Sequence, residues 1–261
     1  MNRIDTRFAE LKAAGRKGLV AYLTAGDPDL KASEENVRIA LQGGVDVLEL
    51  GVPFSDPTAD GPTIQAAAYR ALEAGTNLND VLAMVKSLRK DFDTPIVLFG
   101  YANPFFRYGY ERICRDAVDA GVDGFLVVDM PYEICGELKQ HTDATDLRLI
   151  PLVAPTTAPE RAGKILAAVQ GFAYYIMVKG VTGARQELVM DLGERIADLR
   201  GVTGLPIAAG FGVSNGEQAA EVARTADAVV VGSALVRAAH EGGLTELVAD
   251  LRRGIDGISD S

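Results

Sequence analysis

The chain has 261 residues, 48% of them hydrophobic, enough for one large core or two ordinary ones. Its net charge of −10 and pI near 4.8 argue against nucleic acid, whose phosphates demand a basic surface. No apolar run approaches the ~18 residues of a membrane span, and the polar N-terminus lacks the apolar centre of a signal peptide, so a cytoplasmic protein is expected.

An amphipathic N-terminal segment (MNRIDTRFAELKAAG) precedes the first β-rich run, Leu19–Thr24. Further runs follow at Asp46–Leu50, Pro95–Tyr101, Gly124–Asp129, Leu147–Val153, Phe172–Met177, Pro206–Gly210 and Ala228–Val231. Helix-like stretches alternate with them, among them Ser33–Leu41 and Glu111–Ala120, and Leu244–Ile258 closes the series. Strands that are continuously apolar and alternate with helices indicate parallel pairing buried on both faces. Three junctions repeat one form, GGVDVLEL, AGVDGFLVV and TADAVVVGS, and no linker divides the chain. The expected architecture is a single (β/α)8 TIM barrel over residues 1–261, with an extra N-terminal helix and a C-terminal helix. A doubly wound open sheet is the fallback.

In such barrels the chemistry sits at the C-terminal ends of the strands. Side chains alternate along a strand, so if Leu48 and Leu50 face the helices, Glu49 points into the barrel near its upper rim. An isolated carboxylate there should have a raised pKa, as a general acid/base needs near pH 7. The bland alternative is an ion pair, but the strands offer only Arg148, at the opposite end of the barrel. Asp60 lies in the following loop, VPFSDPTADGPT; spacing alone does not decide its role, whereas Asp56 before Pro57 reads as turn chemistry. Cys114 and Cys135 read as reduced thiols, and His141 and His240 leave a histidine-based nucleophile system without support.

Three late segments, KGVTGAR, AGFGVSN and VGSALV, each run from a strand through glycine into a helix start. Glycine lets backbone N–H groups approach an anion, and the helix N-terminus adds its positive end. The expected ligand is a small phosphorylated metabolite.

LELGVPFSDPTADGPTIQ closely resembles the signature of the tryptophan synthase α subunit family. The likeness continues in order through AYLTAGDP, GYANPFFRYG, GVDGFLVVDMPYE, PLVAPTT, GVTGAR, GFGVSNGEQA and VVVGSALV, nearly the whole chain. The resemblance implies a lyase of tryptophan biosynthesis that cleaves indole-3-glycerol phosphate, by a retro-aldol reaction, to indole and glyceraldehyde 3-phosphate. It implies that Glu49 is the acid/base, that Asp60 stabilises charge on the indole ring, and that Tyr174 helps hold Glu49. Tyr22, Phe99 and Tyr101 match positions lining the indole pocket. Thr182, Gly183, Phe211, Gly212, Gly232 and Ser233 match substrate-binding positions, the glycines and Ser233 at the phosphate. No cofactor is implied in this chain. Pyridoxal phosphate is expected in a partner β subunit, which receives the indole in an α2β2 heterotetramer. The expected docking rim comprises the loops Pro53–Pro62, Asn103–Tyr108 and Asp129–Glu133, carrying Pro53, Phe54, Pro57, Pro104, Phe105, Phe106, Met130, Pro131 and Tyr132, with Phe105 and Pro131 expected to matter for association. One departure stands out: Met177-Val178-Lys179 replaces the family's usual Ser-Arg-x before GVTG, and Lys179 raises a Schiff-base rival.

Overall fold

The computed structural model describes residues 2–176, 185–210 and 212–258, with side chains left aside at 185–191. In chain order the elements are α1 (Arg3–Ala13), β1 (Gly18–Thr24), α2 (Leu30–Gln42), β2 (Val47–Gly51), α3 (Pro62–Glu73), α4 (Leu78–Leu88), β3 (Ile96–Gly100), α5 (Ala102–Tyr108), α6 (Tyr110–Ala120) and β4 (Gly124–Val127). There follow α7 (Gly136–Asp143), β5 (Arg148–Leu149), β6 (Leu152–Val153), α8 (Pro159–Ala167), β7 (Ala173–Ile176), α9 (Arg185–Val202), β8 (Ile207–Gly210), α10 (Gly216–Ala223), β9 (Ala228–Val231), α11 (Ser233–Glu241) and α12 (Leu244–Asp256). No helix among the described residues is long and apolar enough to cross a membrane.

All strand pairs are parallel, in the order β5-β4-β3-β2-β1-β9-β8-β7-β6. The expected fifth strand, Leu147–Val153, is split into β5 and β6 around Ile150 and Pro151. Proline has no N–H for the ladder and interrupts it. The split strand still closes the ring, since Ile150 N–H reaches the Phe125 carbonyl at 2.8 Å and Tyr174 N–H reaches the Pro151 carbonyl at 3.0 Å. The architecture is therefore the (β/α)8 barrel expected from the alternation of strands and helices.

Alternation along each strand builds two cores. Val20, Val47, Val97, Leu126, Ile150 and Ala208 point inward and fill the barrel. Their neighbours Leu19, Leu48, Leu50, Ile96, Leu98 and Phe125 point outward against the helices. The N-terminal helix α1 plugs the barrel floor with Ile4, Phe8 and Leu11, and Phe8 packs on Phe172 at 5.3 Å between ring centroids.

The repeated junction aspartates have a structural task at that floor. Asp46 accepts the Leu19 N–H at 2.8 Å, Asp123 that of Ile96 at 2.8 Å, and Asp227 that of Ile207 at 2.9 Å. Each carboxylate stitches its own strand to the one beside it and also meets an arginine: Arg252 at Asp46, Arg89 at Asp123 and Arg200 at Asp227. Stability is thereby concentrated at one end of the barrel, which leaves the opposite end free for chemistry.

Candidate active site

Glu49 sits on β2 between Tyr22 of β1 and Val97 of β3 in the strand register. It is 0% exposed, and neither carboxylate oxygen has a hydrogen-bond partner among the described residues. Burial alone pushes its pKa up to about 8, so the carboxyl holds its proton at neutral pH. The ion-pair alternative fails: Arg148 is engaged with Asp5 of α1 at 2.6 Å. Tyr174, expected to help hold Glu49, makes no hydrogen bond to it and lies near enough for Glu49 to raise its pKa further, after burial.

Tyr22 packs edge-on against Phe99, with ring centroids 5.0 Å apart, and its hydroxyl accepts from Thr24 Oγ1 at 3.3 Å. Burial pushes the Tyr22 phenol up, with Asp60 and Glu49 adding to it. Two strand-end glycines make room for this aromatic wall. A Cβ on Gly51 would collide with the Tyr22 hydroxyl, and one on Gly210 would sit 3.1 Å from that of Tyr174. Gly51 was not singled out from the sequence and Gly210 was read there only as part of AGFGVSN, because only the facing phenol reveals the need.

Asp60 approaches from the loop between β2 and α3. Burial raises its pKa to about 6, and hydrogen bonding with Tyr101 pulls the other way. The loop is an ordered turn: Thr58 N–H bonds the Asp56 carbonyl at 2.9 Å and Asp60 N–H the Pro57 carbonyl at 3.1 Å. Tyr101 braces it from the end of β3, accepting the Ala59 N–H at 2.9 Å and packing its ring 5.2 Å from that of Phe54. Gln65 braces it from α3, donating from Nε2 to the Asp60 carbonyl at 2.9 Å and the Pro57 carbonyl at 3.3 Å. Sequence reasoning missed Gln65. Helical side chains lean toward the N-terminus, so a donor one turn into the helix after a functional loop was the available signal.

At the end of β9, which lies beside β1 in the ring, Gly232 precedes α11, whose first turn has no side-chain cap. Gly232 lies against Tyr22 and Ile64, so the uncapped backbone N–H groups of Ser233 and its neighbours adjoin the aromatic wall. Gly212 has φ +59, a conformation that favours glycine. Thr182, Gly183 and Phe211 lie outside the described residues, as do Met177, Val178 and Lys179.

The rim differs from expectation in two of its three segments. Asn103–Tyr108 belongs to helix α5, not to a loop, and Phe105 is 0% exposed while Phe106 is 63% exposed. Pro53 and Pro57 are buried too, whereas Pro131 and Tyr132 are exposed and Ile134 stands out at 65%. Beside them a cavity of about 440 Å³ reaches the barrel interior at Val128 and Leu152.

A family model described as tryptophan synthase alpha chain matches residues 8–253. The tryptophan synthase alpha chain of Pelobacter propionicus is 48% identical over 264 residues, covering 98% of this chain and 99% of that one. That of Citrifermentans bemidjiense is 53% identical over 237 residues, covering 91% and 89%. The crystal structure of the alpha subunit from Legionella pneumophila str. Paris superposes with a TM-score of 0.90 at 38% identity, over 99% of this chain and 100% of that one. A chain of Mycobacterium tuberculosis tryptophan synthase gives 0.91 at 36% identity, over 97% and 98%.

Proposed function

Because the chain belongs to the tryptophan synthase alpha chain family, we propose that Glu49 and Asp60 carry the cleavage of indole-3-glycerol phosphate to indole and glyceraldehyde 3-phosphate. One observation carries this reading: a fully buried carboxyl near pKa 8, without a hydrogen-bond partner among the described residues, shares the barrel mouth with a second carboxyl near 6. Such a pair divides labour at neutral pH, one holding a proton and the other a charge.

Glu49 gives its proton to C3 of the indole, which leaves a positive charge spread onto the ring nitrogen. The Asp60 carboxylate faces that N–H and stabilises the cation. Glu49, now ionised, takes the proton of the hydroxyl on the carbon attached to C3. The bond between that carbon and C3 breaks, its electron pair returns to the ring, and the carbon leaves as the aldehyde. Indole and glyceraldehyde 3-phosphate result, and Glu49 ends protonated as it began. Incubating the full chain with indole-3-glycerol phosphate and measuring both products tests the proposal directly; no indole above the uncatalysed rate would refute it.

The phosphate end is assigned to backbone N–H groups at the start of α11 and beside Gly212. A Cβ at Gly232 would make only ordinary contacts, at 3.6 to 3.9 Å. Gly232→Val is expected to weaken glycerol 3-phosphate binding by roughly tenfold, about 1.4 kcal/mol, by filling the space over the helix end. Calorimetric titration with unchanged affinity would move the phosphate elsewhere.

Membership of this family implies a β-subunit partner. The α2β2 assembly, with pyridoxal phosphate in the partner, is part of the proposal. Indole is apolar and neutral, so handing it on directly avoids losing it to solvent. The exposed Phe106, Pro131, Tyr132 and Ile134, with the adjoining cavity, support the active-site rim as the docking face. Phe106→Asp or Pro131→Asp should lower affinity for the β subunit by roughly tenfold or more, while the free chain keeps its basal cleavage. Phe105→Asp would test the core instead. Unchanged association in both exposed variants, measured by calorimetry, would place the interface on another face.

A further inference from the structure

A carboxylate that must meet one ring nitrogen is carried here on a loop, where backbone position is ordinarily soft. Three features harden it. Helix α3 is anchored from behind, because Arg70 makes a two-pronged ion pair with Asp27 at 2.6 and 2.8 Å. From that fixed helix Gln65 reaches back and donates to two carbonyls of the turn, those of Pro57 and Asp60. On the barrel side Tyr101, rooted at the end of β3, receives the Ala59 N–H.

We infer that Gln65 is the positioning residue for Asp60: its amide ties the Asp60 peptide to α3 and so sets where the carboxyl stands. The inference rests on the reading that Asp60 faces the indole nitrogen, and it adds a residue that never touches substrate.

The chemistry explains why the residue is glutamine. Two carbonyl oxygens need two N–H donors, and a primary amide supplies both without charge. Lysine could donate, but would set a cation beside Asp60 and change the charge balance at the ring. Glutamate, ionised at neutral pH, would face two carbonyl oxygens and a carboxylate with nothing to donate. A backbone error of about 1 Å at a reacting group can cost 10²-fold. A tether holding the peptide of Asp60 itself is therefore worth more to turnover than to stability.

Gln65→Met keeps the length and removes the donors. In the full chain, kcat for indole-3-glycerol phosphate is expected to fall roughly tenfold or more, with KM and glycerol 3-phosphate affinity unchanged. Gln65 is half-buried, so the melting temperature should move little. The acid limb of kcat/KM should shift from about 6 toward the ordinary carboxylate range as the loosened turn readmits water. The other ionisable groups felt at this site, Tyr101, Tyr22, Tyr174 and Glu49, are left in place. In an Asp60→Asn background, adding Gln65→Met should cost nothing further, because the amide acts only through Asp60.

An equal loss in both backgrounds would overturn the inference, and so would an unmoved acid limb with unchanged kcat. Asp60→Asn with full turnover would overturn the Asp60 assignment and this inference together. A crippled Asp60→Asn beside a silent Gln65→Met would overturn the inference alone. Gln65→Glu gives a second reading, since it should be worse than Gln65→Met; a Glu variant with wild-type kcat would also overturn it.

Discussion

Glu49→Gln is expected to reduce cleavage of indole-3-glycerol phosphate by at least 10²–10⁴-fold, the usual loss of a general acid/base. The loss should lie toward the upper end, because one carboxyl both gives a proton to C3 and takes one from the hydroxyl. The fold should not suffer. Among the described residues Glu49 makes no hydrogen bond that glutamine would break, and its carboxyl is already neutral at pH 7. The pH dependence of stability supplies an independent check. Below about pH 4.5 the carboxyl is protonated in both folded and unfolded chains, so its contribution is fully present. Between about 4.5 and 8 the unfolded chain releases the proton while the folded chain keeps it, and stability falls with rising pH. Wild-type protein should therefore lose melting temperature across this window, and Glu49→Gln should remove that part of the slope. Ordinary turnover by a folded Glu49→Gln chain would refute the assignment.

The parity of β2 made Glu49 legible before any coordinates. Period-two alternation decides which side chains enter the barrel, and Val47 inside with Leu48 and Leu50 outside follow it. The junction aspartates were visible as a repeat, but their task was not. It depends on the neighbouring strand's first N–H, a partner 20 to 27 residues away in the chain. The rim misled for a local reason. Asn-Pro before two phenylalanines reads as a loop, yet Pro104 falls in the first turn of α5, where its missing N–H is not needed. Once that stretch is helical, adjacent residues face different ways, and Phe105 goes in while Phe106 stays out. Asp60 was placed by resemblance alone, since its environment is made by Tyr101 and Gln65 from elements on either side.

Asp60→Asn should be nearly as damaging as Glu49→Gln, for a different reason. The substitution keeps the shape and the backbone bonds of this residue, its N–H to Pro57 and its carbonyl to Gln65, and the amide oxygen can still accept from Tyr101. The turn therefore survives, and glycerol 3-phosphate binding, made by backbone N–H groups at the start of α11, should survive with it. What disappears is a negative charge beside a developing cation. Two unit charges about 4 Å apart at an effective dielectric near 20 attract by roughly 4 kcal/mol, and each 1.36 kcal/mol of transition-state stabilisation is about tenfold in rate. A loss of about 10²–10³ in kcat is thus expected, with little change in phosphate affinity. The pH profile distinguishes lost charge from lost shape. In the wild-type chain Asp60 must be ionised and Glu49 protonated, so kcat/KM should be bell-shaped with limbs near 6 and 8. Asparagine does not titrate. The limb near 6 should vanish from the residual activity of Asp60→Asn, while the limb near 8 remains. Retention of the acid limb in that variant would assign it to another group and remove Asp60 from the reaction.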